Sequence, residues 1–185
     1  MVQLRSLESS DIEAVHSLVS RMDVVRHMLF PLCSRDESER FLRDSLVGSL
    51  SDSWRSIVRA VSDCRTGTLV GLCGLVIPRA AEEGEIWYLV NPNCWGNGIA
   101  TEAAKQLLNL GFGELGLHRI WASSLPENPA STRVLEKLGM RNEGLLVKNL
   151  KIHGAWKSSL LYAILAEEWN GTISMLPPGS GSIAP

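Results

Sequence analysis

A strand, a glycine turn and a helix follow one another without a spacer between Glu85 and Leu108. Glu85-Ile86-Trp87-Tyr88-Leu89-Val90 reads as an apolar strand, and Asn91-Pro92-Asn93-Cys94-Trp95-Gly96-Asn97-Gly98 as the turn. Apolar residues at Ala100, Ala103, Ala104, Leu107 and Leu108 then recur at helical spacing, which predicts a helix from Ile99 to about Phe112. Such a turn aims unpaired backbone N–H groups at one point, backed by the positive end of the helix dipole. It is an anion site, with phosphate as the first candidate. The Lys and Ser/Thr pair of a nucleotide-hydrolysing loop is absent, and Thr101 stands where a dinucleotide turn needs its third glycine. Both of those readings are therefore poor.

A second segment is equally well specified. In Glu127-Asn128-Pro129-Ala130-Ser131-Thr132-Arg133-Val134-Leu135-Glu136-Lys137-Leu138-Gly139-Met140, Asn128 is a good N-cap and Pro129 suits the first helical position. Gly139 fits a left-handed C-terminal cap, which would bring Met140 against Leu135. Capping alone accounts for each of these residues.

Taken together, the two segments carry a resemblance. Trp95-Gly96-Asn97-Gly98-Ile99-Ala100, following Val90-Asn91-Pro92, resembles the pyrophosphate loop of the GNAT superfamily of N-acetyltransferases, with Trp95 in place of the usual Gln or Arg. The run Asn128-x-x-Ser131-x-Arg133-Val134-x-Glu136-Lys137-x-Gly139 resembles the branch that acetylates the N-termini of ribosomal proteins. Glu143-Gly144, Gly154-Ala155-Trp156, Tyr162 and Glu168-Trp169 follow at about the familiar spacing, so the likeness covers roughly residues 2 to 169.

The resemblance implies acetyl-CoA as co-substrate, with Trp95, Gly96, Asn97, Gly98, Ile99, Ala100 and Thr101 around its pyrophosphate. It implies that the strands carrying Val90 and Trp121 splay apart. Leu89 and Val90 would then present backbone groups to the pantetheine arm, which Asn128 also binds. Trp87 and Trp156 would line the acceptor pocket, although packing accounts for Trp87 equally well.

Moving an acetyl group from a thioester to an amine needs a neutral amine, a polarised carbonyl and a proton for the leaving thiolate. The Val90 N–H is the candidate for polarising the carbonyl. Many GNAT enzymes supply the proton from a Tyr seven residues after the Asn; here that position is Leu135, and Ser131 is the alternative acid. The ribosomal branch carries a glutamate where Leu150 stands, and an Asp where Ser158 stands. Glu85 and Glu143 remain as candidate bases. An α-amine titrates near about 8, against about 10.4 for a lysine, so weak base chemistry favours an α-amine. The expected acceptor is therefore a protein N-terminus. A small-molecule amine, or a CoA-binding domain without catalysis, are the alternatives.

The rest of the chain fits one domain over 1–170. With 185 residues, 45% hydrophobic and 21% charged, it can bury a sizeable core. The net charge of −2 gives no reason to expect nucleic-acid binding, and no apolar run approaches the roughly 20 residues that span a bilayer. Cys33, Cys64, Cys73 and Cys94 show no metal-ligand spacing and read as free thiols of a cytoplasmic protein, a monomer or homodimer without a metal.

The N-terminal Val2–Ser6 reads as a strand, Ser10 or Asp11 as the cap of a helix, and Ser34 with Glu37 as a capping box opening a helix to about Leu46. Strands over 53–61 and 68–77 form a hairpin through Asp63–Gly67, and strands over 119–123, 143–151 and 158–165 follow. These elements predict an α/β fold with a mixed, mostly antiparallel sheet, a central parallel pair and flanking helices. Residues 171–185, rich in Pro, Gly and Ser, read as a flexible tail.

Overall fold

The computed structural model describes residues 1–30, 32–47, 49–51, 54–78 and 82–170; the expected tail lies outside them. The chain runs β1 (Val2–Arg5), α1 (Ile12–Val19), α2 (Met22–Val25), α3 (Arg35–Val47), β2 (Ser49–Ser51), β3 (Trp54–Asp63), β4 (Leu69–Pro78) and β5 (Glu83–Val90). It continues with α4 (Ile99–Asn109), β6 (Arg119–Ser124), α5 (Pro129–Lys137), β7 (Arg141–Ile152) and β8 (Ala155–Leu165). The sheet order is β1-β3-β4-β5-β6-β8-β7, with the short β2 pairing β3. Among the described strands β5 and β6 form the parallel pair, and the other pairings are antiparallel. This is the predicted mixed sheet. Among the described residues no helix is long and apolar enough to cross a membrane.

Each face of the sheet carries its own apolar layer. Ala103, Ala104, Leu107 and Leu108 of α4 and Leu135 of α5 bury against Val61, Cys73, Leu75, Ile86 and Ile120. On the opposite face Val15, Leu18 and Val19 of α1 and Leu42 of α3 bury against Val58, Ala60, Leu72 and Leu89. Alternation along a strand sends successive side chains to opposite faces, and a sheet covered on both sides must therefore be apolar at nearly every position. β4, Leu-Val-Gly-Leu-Cys-Gly-Leu-Val-Ile-Pro, is that kind of strand. Gly74 within it is required by close approach: a Cβ there would lie 2.6 Å from the Trp87 indole.

Local signals behave as the sequence predicts at α3, where Ser34 N donates to Glu37 Oε2 at 2.7 Å and Glu37 N to Ser34 Oγ at 3.3 Å, a reciprocal capping box. They do not at α1. Asp11 caps nothing with its side chain there; it is buried, takes the Arg5 guanidinium bidentately at 2.7 and 2.8 Å, and accepts from Glu8 N at 2.8 Å. The helix expected to Phe112 ends at Asn109 and passes into a wider turn over Leu110–Glu114, where Leu115 N donates to Leu110 O at 3.1 Å.

Candidate active site

The parallel pairing of β5 with β6 is short. It holds at Glu83–Arg119, Gly84–Ile120 and Glu85–Trp121, and beyond Glu85 the two strands part. β5 stays paired to β4 as far as Val90–Gly71, and β6 stays paired to β8 as far as Ser124–Leu160. A wedge therefore opens in the middle of an otherwise continuous sheet.

Which backbone groups face the wedge follows from the ladder's phase. Asn91 N donates to Val70 O at 2.8 Å, so Asn91, Leu89 and Trp87 turn their N–H and C=O groups to β4. Val90 and Tyr88 turn theirs to the gap. The Val90 carbonyl accepts from Trp95 Nε1 at 2.8 Å, and its N–H is left toward the gap.

The wedge belongs to a cavity of about 700 Å³ that passes through the sheet. At one end lie Gly96, Gly98, Ile99, Ala100 and Thr101, at the start of α4. Gly96 and Gly98 have φ of +77° and +75°, a conformation that favours glycine, and a Cβ built on either meets nothing within 4 Å. Their demand for glycine is thus conformational, and the space before the α4 N–H groups is open. Asn97 turns away from this space and donates to the carbonyls of Cys94 and Trp95 at 3.2 and 3.1 Å, locking the turn.

The middle of the cavity is formed by β5 and α5. Asn128 Oδ1 caps α5 by accepting from Ser131 N at 3.3 Å. The Tyr88 hydroxyl lies 3.0 Å from Ser131 Oγ and 3.2 Å from Ser131 O. Burial pushes the Tyr88 phenol up to about 12, so it keeps its proton. Glu85, on the other face, is half-buried, and desolvation raises its carboxyl from the ordinary 4.5 to about 7. Side chains at odd positions of β5 share the α1–α3 face and those at even positions the α4–α5 face. Glu85 and Ser131 therefore line the same cavity from opposite sides of the sheet.

Beyond Glu85 the cavity is lined by Val24, Met28, Phe30, Phe41 and Trp87, with ionisable groups at Asp23, Arg26, His27 and Asp44. Asp23 is engaged by Arg21 at 2.8 Å. Burial, with Arg26 adding to it, holds His27 below its ordinary value.

A family model for the acetyltransferase (GNAT) domain matches residues 2–141. The chain belongs to the GNAT acetyltransferase family. As a GNAT enzyme it is an acyltransferase that moves an acetyl group to an amine. It is 34% identical over 167 residues to an uncharacterised N-acetyltransferase of Bacillus subtilis (strain 168), covering 90% of this chain and 95% of that protein. The crystal structure of a GNAT-family acetyltransferase from Bacillus anthracis superposes with a TM-score of 0.82 at 32% identity, over 90% of this chain and 96% of that one. Spermidine N-acetyltransferase from Vibrio cholerae, solved in complex with CoA and spermine, gives a TM-score of 0.77 at 26% identity, over 91% and 97%.

Within this GNAT domain the sequence-derived residues divide. Val90, Trp95, Gly96, Gly98, Ile99, Ala100, Thr101, Asn128, Ser131, Glu85 and Trp87 all meet at the cavity. Leu89 lines it by its side chain, but its backbone is directed to β4, and the backbone groups at the gap are those of Tyr88 and Val90. Glu143 is withdrawn as a base: it lies outside the cavity lining and holds Arg119 Nη2 at 2.5 Å. Trp156 is withdrawn from the acceptor pocket, being 60% exposed opposite Lys151 near the end of the β7–β8 hairpin and outside the cavity lining. Leu150 does reach the cavity, so the wall where the ribosomal branch carries a carboxylate is apolar here. Ser158 instead accepts from Lys148 N at 3.0 Å and secures a bulge in β7.

Tyr88 is the residue that sequence reasoning missed. Its signal was available: it is two positions from Val90, hence on the same face and the same free edge of β5.

Proposed function

We propose that this GNAT enzyme transfers the acetyl group of acetyl-CoA directly to a small primary amine with an apolar body, both substrates being bound at once. The observation that carries the reading is the single cavity joining the Gly96–Thr101 turn to the half-buried Glu85 through the gap between β5 and β6. The turn fits a pyrophosphate through its open cradle and the first-turn N–H groups of α4. The Tyr88 and Val90 backbone fits an extended amide-bearing arm, as an added strand would. The co-substrate would enter from the α4–α5 face and the acceptor from the α1–α3 face.

The amine then loses its proton to Glu85 and attacks the thioester carbonyl. The Val90 N–H faces the carbonyl oxygen, and Ser131 donates to the departing sulfur. Support for a small amine is the apolar lining from Val24 to Trp87, together with Leu150 in place of a carboxylate. The kinship with a spermidine acetyltransferase favours a small amine over a protein N-terminus. The test is thiol release from acetyl-CoA with phenethylamine, spermidine and a short peptide with a free N-terminus. The reading expects the highest kcat/KM for phenethylamine; turnover with the peptide alone would overturn it.

The turn has its own test. Gly98→Glu introduces a Cβ at φ +75° and a negative charge in the cradle. CoA affinity by calorimetry should weaken at least tenfold, equivalent to about 1.4 kcal/mol. Unchanged affinity in a folded variant would remove the turn from the binding site.

A further inference from the structure

We infer that Tyr88 is a positioning residue for proton delivery, its hydroxyl donating to Ser131 Oγ so that the serine O–H is turned into the gap between β5 and β6. The inference rests on the reading of Ser131 as the group that protonates the leaving thiolate. Two acceptors lie within reach of the Tyr88 O–H, Ser131 Oγ at 3.0 Å and Ser131 O at 3.2 Å. The second already serves the α5 ladder, where a carbonyl accepts from the N–H four residues on. The first is nearer and has no such duty.

A serine hydroxyl carries one proton and two lone pairs. If Ser131 donated to Tyr88, its only proton would point away from the gap and could not reach the sulfur. If Tyr88 donates, the serine proton is free, and the bond it receives makes its own O–H a stronger donor. Asn128 completes the arrangement by engaging the Ser131 N–H at 3.3 Å, so the residue is held at main chain and side chain alike. Leu135, at the position where many family members carry a tyrosine, is fully buried at 0% exposure and offers no proton. A tyrosine thus contributes from the strand side of the cavity instead of from the helix.

During transfer the serine O–H bond breaks as its proton moves to the departing sulfur, the nitrogen sheds its extra proton to water as the amide forms, and the serine regains a proton from water when the products leave. Tyr88 keeps its own proton throughout.

The experiment is a double-mutant cycle of Tyr88→Phe and Ser131→Ala. Its readout is thiol release from acetyl-CoA with hydroxylamine, a nucleophile small enough to enter any acceptor site. Tyr88→Phe keeps the ring and its packing. It should lower kcat about tenfold with KM for acetyl-CoA unchanged, and it should cost nothing further in the Ser131→Ala background. Full kcat in Tyr88→Phe, a rise in KM instead of a fall in kcat, or losses that simply multiply in the double variant would overturn the positioning role. If Ser131→Ala alone keeps full kcat, the acid role of Ser131 fails, a result distinct from any of those.

Discussion

Glu85→Gln is expected to lower kcat about 10²-fold at pH 7.5 and, in the same protein, to raise thermal stability at alkaline pH. A general base contributes of the order of 10² or more, and works best with a pKa near the operating pH. Desolvation brings Glu85 to about 7, which meets that condition. The rate should therefore rise with pH through about 7 as Glu85 ionises, and this limb should stay in place when acceptors of different pKa are compared.

In the glutamine variant the limb should vanish, leaving a slow rate that follows the acceptor amine. The stability effect has the opposite sign. In the unfolded chain the carboxyl ionises near its ordinary 4.5, whereas the folded protein holds the proton to about 7. Between those values the unfolded state releases a proton that the folded state keeps, so stability falls as pH rises across the window. Glutamine has nothing to ionise, and at pH 8 it should be more stable by on the order of 2 kcal/mol, read as a higher melting temperature. A wild-type limb that moves with the acceptor, or a variant with full activity, would remove Glu85 as the base.

Ser131→Ala should be nearly as damaging and leave a different signature. The expected loss is about 10²-fold in kcat, at the low end for a general acid, with little change in KM for acetyl-CoA and no loss of the pH limb assigned to Glu85. The cap of α5 depends on the Asn128 side chain and the Ser131 N–H, both of which survive the substitution, so the helix should persist. An acyl donor with a better leaving thiol should be hurt less; activated thioester analogues of acetyl-CoA test this. Equal losses for natural and activated thioesters would place Ser131 outside proton transfer.

Much of this site was legible because it is local. The Gly96–Gly98 turn, the Asn128 cap and the Ser34–Glu37 box are each written within a few residues, and backbone geometry follows from such short runs. What was misread depends on partners that a short local run does not name. Glu85 and Glu143 are both strand carboxylates. What separates them is Arg119, which reaches Glu143 across 24 residues and leaves Glu85 to the cavity. Asp11 reads as a cap because its neighbourhood is polar, yet Arg5 claims both of its oxygens. Trp156 follows a glycine at the spacing expected of an acceptor residue, but it pairs with Lys151 close to the hairpin turn, where His153 and Gly154 adopt φ of 47° and 81°. The free edge of β5 depends on register, which a strand's own sequence specifies only as a pattern of two faces. The phase that assigns Tyr88 and Val90 to that edge comes from the pairing of Asn91 with Val70.

The three-residue seam between β5 and β6 has a mechanical consequence. It divides the sheet into two leaves, β1-β3-β4-β5 and β6-β8-β7, fastened at one end like a clothes peg. Few hydrogen bonds cross this seam, so the leaves are joined chiefly by the apolar layer beneath α4, which runs from Val61 to Ile120. A molecule lying along the free edges would work as a clasp: bound by the folded protein alone, it would add about 2.7 kcal/mol to folding at a hundredfold excess over its Kd. Resistance to heat and proteolysis is then expected to follow the supply of the acyl donor, read as a melting temperature that climbs with acetyl-CoA concentration.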